Sequence, residues 1–349
     1  MPAKPPTLPD AAGDFAHALL AWYRENYRPL PWREEPSLYR TVVSEFMCQQ
    51  TQIATVLPYF ARWMQALPDF AALASAPEEQ VVKLWEGLGY YSRARNLHKL
   101  AKQWMAAKPK PQTAEAWRAF PGVGPYTAAA IASIAFGEKS AVVDGNVVRI
   151  LARLTNDQQE FTDNGKAVKV FTALADELIQ HTAEPGDHNQ AMMELGATIC
   201  AKANPQCLLC PVRGFCAGYR EADPAQLPRM RKKSVINRRI DRVFLAHEGC
   251  LLVHQIPKTA RRLAGMCELP PAELLSVAYP AELILTRRRG IANERIEERF
   301  LHVEWSPAIE KFVGGEETLF WQPVAELDAI TLTGPHRKWL SELLNSKPR

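Results

Sequence analysis

One stretch, residues 120–146, constrains this chain more than any other. Pro121-Gly122-Val123-Gly124 forms a Gly-rich turn between two helical patterns, one with Ala116, Trp117 and Ala119, the other running from Tyr126 to Phe136. Glycines in so short a turn allow positive φ and let a backbone approach a ligand closely. The helix that follows offers free N–H groups and a partial positive charge, which suit a phosphate. Gly122, Val123 and Gly124 are therefore expected to hold one nucleic-acid phosphate without reading sequence. A plain helix–helix connection would look the same, but Asp144 adds to the pattern. It closes the apolar run Ala141-Val142-Val143 and opens the next helix, where N-capping is its simplest role. A capped carboxylate stays ionised, and an ionised acid can stabilise a cation.

Spacing among the cysteines is the second constraint. Cys48, Cys250 and Cys267 are isolated in apolar surroundings and read as buried thiols. Cys200, Cys207, Cys210 and Cys216 form C-x6-C-x2-C-x5-C. The Pro-rich start of the chain lacks an apolar signal core, which predicts a cytoplasmic protein. In that compartment four close cysteines point to a metal centre rather than to disulfides. Spacing alone leaves zinc and an iron–sulfur cluster both open.

At 349 residues, two or three domains are expected. With 47% hydrophobic and 23% charged residues the composition is that of a globular protein, and no apolar run is long enough to span a membrane. A net charge of +4 permits an anionic partner without requiring one.

Residues 1–12 read as disordered, and a helical pattern follows with Phe15, Leu19, Leu20, Trp22 and Tyr23. The loop Arg28-Pro29-Leu30-Pro31-Trp32-Arg33 reads as a stiff, non-helical connection. Trp32 between two arginines could stack on a base or simply anchor the loop. Residues 39–63 carry apolar residues at helical spacing, with Glu45 near the edge of the apolar face, where an acid is expected to be half-buried and its pKa raised by burial. Gln49, Gln50, Thr51 and Gln52 form a polar cluster that ends that helix, suited either to reaching base edges or to a plain exposed loop. Gly87-Leu88-Gly89-Tyr90-Tyr91 with Arg93 and Arg95 offers an aromatic wedge and phosphate ligands, or packing. Residues 217–239, with Arg229, Arg231, Lys232, Lys233, Arg238 and Arg239, read as a basic linker. Beyond it the period becomes two: residues 243–247 and 250–254 suggest a hairpin about Glu248-Gly249, residues 300–305 and 318–321 further strands, and residues 335–344 a closing helix. The second half is expected to be a separate α+β domain.

The segments LPWR (30–33), SEFMCQQTQIATVLPYF (44–60), GLGYYSRARNLHK (87–99), FPGVGPYTAAAI (120–131), VVDGNVVRILAR (142–153), NQAMMELGATIC (189–200) and the cysteine loop together resemble the MutY family of adenine DNA glycosylases. That family lies within the helix–hairpin–helix superfamily that includes endonuclease III. The resemblance covers nearly all of residues 15–216. It implies an all-α core over 13–216, with a six-helix subdomain at about 33–140 and a cluster subdomain formed by 13–32 and 141–216. The basic linker 217–239 and a Nudix-like lesion-recognition domain over 240–349 would follow. The four cysteines would then hold a 4Fe–4S cluster.

The resemblance also implies a chemistry. An adenine in a duplex must be flipped into a pocket before it can be cut out. Glu45 would be the acid that protonates adenine and later activates water, and Asp144 the carboxylate that stabilises the sugar cation. Asn146 and Tyr126 would orient the pair. Arg28, Leu30, Trp32, Arg33 and Gln190 would line the adenine pocket, and Gln49, Gln50 and Tyr90 would fill the gap beside the lesion. Lyases of the endonuclease III type carry a lysine where this chain has Tyr126. A phenol forms no Schiff base, so a monofunctional glycosylase is expected. An endonuclease III-like lyase and a non-catalytic iron–sulfur DNA-binding protein are the alternatives. Substrate would be double-stranded DNA with A:8-oxoguanine or A:G mispairs, acted on by a monomer. In the C-terminal half, Gly265-Met266-Cys267-Glu268-Leu269-Pro270 resembles a Nudix turn, without the acidic run a working Nudix hydrolase needs. The lesion-reading loop would be residues 291–296, with Asn293 and Glu294 where relatives carry a hydroxyl and a histidine.

Overall fold

The computed structural model describes residues 11–231, 234–260, 263–276, 279–291 and 293–345. The chain forms two compact units, one of Met1–Ser75 with Asn96–Lys232, the other of Ala76–Arg95 with Lys233–Arg349. Among the described residues, no helix is long and apolar enough to cross a membrane.

The first unit is built almost wholly of helices. Its larger helices are Ala12–Asn26, Leu38–Cys48, Ile53–Ala66, Pro125–Phe136, Gly145–Leu154, Asn164–Leu178 and Pro185–Thr198. Phe15, Leu19, Leu151, Phe171, Leu178 and Leu195, all fully buried, knit four of them into one core. Ser37 caps Leu38–Cys48 by accepting from Arg40 N (3.2 Å), and residues 41–47 of that helix are all buried. Pro125 starts its helix at the first position, where it removes no bonded N–H, and Gly137 ends it in the left-handed conformation at φ 72°.

Three expectations change here. Residues 1–10 lie outside the described residues, but Ala12 already opens a helix and is buried. Residues 31–34 are helical, not extended, because Pro31 at the first position supplies a helical φ with no lost bond. The segment 217–239 is no free linker. It holds the helix Ala217–Glu221, a parallel pairing of Arg229–Met230 with Glu160–Phe161, and the start of a long strand at Ile236. The Arg153 guanidinium also donates to Leu227 O (3.2 Å). Lys232 and Lys233 lie outside the described residues.

The second unit is α+β. Its three-stranded sheet has Glu294–Val303 in the centre, parallel to Ile236–Phe244 and antiparallel to Ala281–Ile291. In the four-stranded sheet, Cys250–Gln255 pairs with Ala246–His247, Cys267–Glu268 and Leu319–Pro323. Glu248 (φ 47°) and Gly249 (φ 75°) both have positive φ, as a two-residue hairpin turn requires. Helix Gly334–Asn345 sets Trp339, Leu340 and Leu343 against Phe300, Leu251 and Val253. Beneath the sheets, Arg242 is buried between Glu268 (2.8 Å) and Glu298 (3.0 Å). Residues 76–95, expected in the helical core, pack with this unit. Glu86 accepts from Arg337 (2.8 Å) and from Leu332 N (3.0 Å), and Lys83 donates to Ile330 O (3.0 Å).

Candidate active site

A cavity of about 780 Å³ in the helical unit gathers residues from five separate segments. Arg28, Leu30, Trp32 and Arg33 come from the first connection, Glu45 from Leu38–Cys48, Tyr126 from Pro125–Phe136, Asp144 and Asn146 from the next helix start, and Gln190 from Pro185–Thr198. These nine residues are the expected catalytic and pocket-lining set, and all of them meet in one place.

Glu45 lies deeper than its position at the edge of an apolar face suggested. It is 9% exposed, and among the described residues its Oε2 has no hydrogen-bond partner. The reason is that its helix is enclosed over two full turns, so no edge reaches water. Burial pushes its carboxyl up to about 7, opposed by a hydrogen bond from Tyr126 and assisted by the charge of Asp144. The Tyr126 hydroxyl also reaches Met193 Sδ (3.1 Å). When Glu45 is ionised the phenol can donate to it; when Glu45 is protonated the phenol can turn to the thioether.

Asp144 is an N-cap, as expected. Its Oδ1 accepts from Asn146 N and Val147 N (both 2.8 Å), and its Oδ2 accepts from Asn146 Nδ2 (2.9 Å). Burial nonetheless raises its carboxyl above the usual range, with those bonds and the Arg149 charge pulling it back. The capped acid is therefore less strongly held in its ionised form than a surface cap would be. Arg149 donates to Asn146 Oδ1 (2.8 Å), Gly196 O (2.7 Å) and Cys200 O (2.8 Å), which fixes the asparagine from behind.

Sequence reading missed Glu194. It is fully buried, bonded to Arg28 Nε (2.5 Å) and Nη2 (3.0 Å) and to Arg33 Nη1 (2.9 Å). Burial pushes this carboxyl up, but the two guanidinium groups outweigh burial and hold it below its ordinary value. Arg33 also donates to Gln190 Oε1 (3.1 Å) and lies over the Tyr23 ring. Glu194 stands four residues after Gln190 and so shares its helix face. That spacing was the available signal.

Other expected residues lie elsewhere. Gln49 donates to Thr127 Oγ1 (3.1 Å), and Gln50 is exposed at φ 55°. Tyr90 belongs to the second unit, where it is 52% exposed at φ 48° beside the Arg93 guanidinium. In the Gly-rich turn only Gly122 has positive φ (76°), and a Cβ there would meet Asn96 at 2.8 Å and Phe46 at 2.9 Å. Gly124 is extended and caps the following helix, with open space where a Cβ would be. Gly122 therefore shapes the turn while Gly124 leaves room for a ligand, and Val123 is buried between them. Asn293 stands in a turn, and Glu294 already opens a strand. Ile291 pairs with Glu294, so Glu294 and Ile296 belong to a paired strand, and Asn293 Nδ2 donates to Ser234 O (3.3 Å). Ala292 lies outside the described residues.

All four cysteines of the C-x6-C-x2-C-x5-C loop line one apolar cavity. Burial raises the thiols of Cys207, Cys210 and Cys216, Cys210 to about 12, and the neighbouring sulfurs raise them further. Arg153 donates to Cys200 Sγ (3.2 Å), Ala201 O (2.8 Å) and Lys202 O (3.2 Å). Among the described residues, no three His, Cys, Asp or Glu side chains are gathered closely enough for a single metal ion. The donor set, soft thiols around one cavity beside a fixed cation, fits an anionic thiolate-bound group.

Residues 43–169 match the family model described as HhH-GPD superfamily base excision DNA repair protein. The chain is similar to the adenine DNA glycosylase of Mus musculus, 46% identical over 224 residues that make up 61% of this chain and 43% of the mouse protein. It thus spans less than half the length of that relative. It is also similar to the adenine DNA glycosylase of Buchnera aphidicola subsp. Acyrthosiphon pisum, 33% identical over 67% of this chain and 68% of that protein. Among solved structures, a thermostable thymine-DNA glycosylase matches with a TM-score of 0.52 and 26% identity, covering 60% of this chain and 97% of that one.

Proposed function

Given that the chain belongs to the adenine DNA glycosylase family, we propose that it removes adenine mispaired with 8-oxoguanine or guanine from double-stranded DNA by hydrolysis. The observation that carries this reading is Glu45. A buried carboxyl with a pKa of about 7 shares a cavity with the capped carboxylate of Asp144. A carboxyl that burial favours in its neutral form, beside a second carboxylate whose charge three donated hydrogen bonds support, is the division of labour that glycosidic cleavage needs.

The flipped adenine enters the cavity between Trp32, Leu30 and the arginines, which Glu194 holds in place. Glu45 gives its proton to adenine N7. The bond from N9 to the sugar breaks with its electron pair leaving on the base, and Asp144 stabilises the cation left on the sugar. Water then attacks the sugar carbon and returns a proton to Glu45. Asn146 holds Asp144 through its amide, and Tyr126 holds Glu45. Tyr126 offers no amine for a Schiff base, so strand cleavage does not accompany base loss. Gly122, Val123 and Gly124 are read as the hold on one phosphate, with Gln49, Gln50 and Tyr90 as gap-filling residues. Because a single chain lines the whole cavity, a monomer suffices.

Cys200, Cys207, Cys210 and Cys216 are read as ligands of a 4Fe–4S cluster. A multi-iron cluster holds its thiolates farther apart than one zinc ion does, which agrees with four sulfurs around one cavity. Bound there, it would neutralise the buried thiolates and stiffen the loop that Arg153 anchors. The C-terminal unit is read as Nudix-like, with the turn at Asn293 presented towards the lesion.

Single-turnover base release from A:8-oxoguanine and A:G duplexes, quenched with and without alkali, tests the reading. Adenine release by the wild type but not by Glu45→Gln, with strand breaks only after alkali, is expected. No release from either duplex, or breaks without alkali, refutes it.

A further inference from the structure

We propose that the arginine-rich end of the three-stranded sheet is a sequence-independent phosphate grip for duplex DNA. This rests on the reading of the chain as a DNA enzyme, but assigns this surface a task other than lesion reading. Next to the turn at Asn293, a groove of about 820 Å³ is lined by Arg238, Arg239, Arg288, Arg289 and Arg295 against one carboxylate, Glu297.

Strand register explains how so many cations come together. Arg239, Glu297 and Arg288 form one row across the three strands, Arg238, Ile296 and Arg289 the next, and Asn237, Arg295 and Gly290 the one after. Because successive rows point to opposite faces, Arg239, Arg288 and Arg295 share one face, while Arg238 and Arg289 stand on the face of the buried Ile296. In the first row a single acid serves two arginines, at 3.6 Å from Arg239 and 2.9 Å from Arg288, whose side chains remain 64% and 82% exposed. Arg289 is tied to the buried Glu298. Arg238 and Arg295 are exposed and form no ion pair among the described residues. Opposite Arg295, Gly290 puts no side chain into the groove.

Like charges gathered on a sheet oppose folding, so folding alone does not account for this cluster. A polyanion would relieve that repulsion. Guanidinium groups present forked donors that match phosphate oxygens. On the face they share, Arg239 and Arg288 stand about 7 Å along the strands from Arg295, with neighbouring strands about 4.8 Å apart, which suits a line of phosphates better than one point anion. Glu294 beside the turn disfavours phosphate there, so contact falls on the arginine flanks. Contacts of this type position a duplex without reading its bases.

The test measures full-chain affinity by fluorescence anisotropy across a series of salt concentrations. One duplex is fully paired; the other carries 8-oxoguanine opposite a non-hydrolysable adenine analogue. Each phosphate contact contributes about 0.9 to the slope of log affinity against log salt. The double variant Arg239→Gln/Arg295→Gln, on one face of the sheet, should therefore lower the slope by about 2 on both duplexes. Arg239→Lys/Arg295→Lys should keep most of the slope, and single-turnover adenine release at saturating enzyme should not change. Arg288→Gln alone, at a side chain 82% exposed, should lower the slope by about 1 and serves if the double variant does not fold. An unchanged slope overturns the proposal, and so does a loss confined to the 8-oxoguanine duplex. Wild type that binds with the expected slope but releases no adenine refutes the glycosylase reading and leaves the phosphate grip standing.

Discussion

Replacing Glu45 by glutamine should abolish adenine release and yet stabilise the helical unit at alkaline pH. The carboxyl sits where water cannot solvate its charge, and its pKa rises from an ordinary 4.5 to about 7. A group whose folded pKa is raised costs no stability well below its unfolded pKa. The cost grows as pH climbs from 4.5 and levels off above 7. The gap corresponds to about 3 kcal/mol when fully developed. Glutamine has nearly the same shape, accepts the Tyr126 hydrogen bond and never ionises. Thermal unfolding of both proteins, followed by far-UV circular dichroism at pH 5 and pH 8.5, measures the difference. For a unit of this size about 1 kcal/mol moves Tm by about 2–4 °C. Glu45→Gln should therefore melt about 6–12 °C above wild type at pH 8.5, and within about 3 °C of it at pH 5. The same titration should lower wild-type single-turnover adenine release as pH rises through about 7, because the acid form is lost. A stability gap that is equal at the two pH values, or a variant less stable at pH 8.5, would refute the account of Glu45 as a buried acid held neutral by its surroundings.

Glu194→Gln should leave Arg28 and Arg33 without their shared anion inside the cavity. Urea unfolding should show a loss of about 3–5 kcal/mol, single-turnover release should slow, and Glu194→Asp should recover part of both. Gly196→Ala would place a Cβ 2.6 Å from Asn146 Cβ, too close for either backbone to tolerate. It should cost about 1–3 kcal/mol and slow adenine release more than it weakens DNA binding, since Asn146 is what holds Asp144.

Local chemistry was legible in the sequence because its signals act over a few residues. A proline and glycines around a turn, an aspartate before a helical run and four cysteines within one loop each state a short-range requirement. The turn at Glu248-Gly249 and the cap at Asp144 accordingly stand where they were expected. The nine cavity residues could be gathered from sequence only through family resemblance, because their segments are far apart along the chain. Burial was the quantity most often misjudged. Glu45 looked half-buried from its helix face, but what encloses it comes from other helices, and only that enclosure moves its pKa to about 7. Residues 217–239 looked like a linker because charge was counted without their partners at Glu160, Arg153 and the Glu294–Val303 strand. Glu194 carried no local signal beyond sharing a helix face with Gln190. By itself, then, the sequence determined where turns, caps and the closely spaced cysteines fall, since those depend on backbone geometry and residue chemistry nearby. The tertiary structure alone decided which charges lose their water and which cations share an anion, because both depend on what packs across long chain separations.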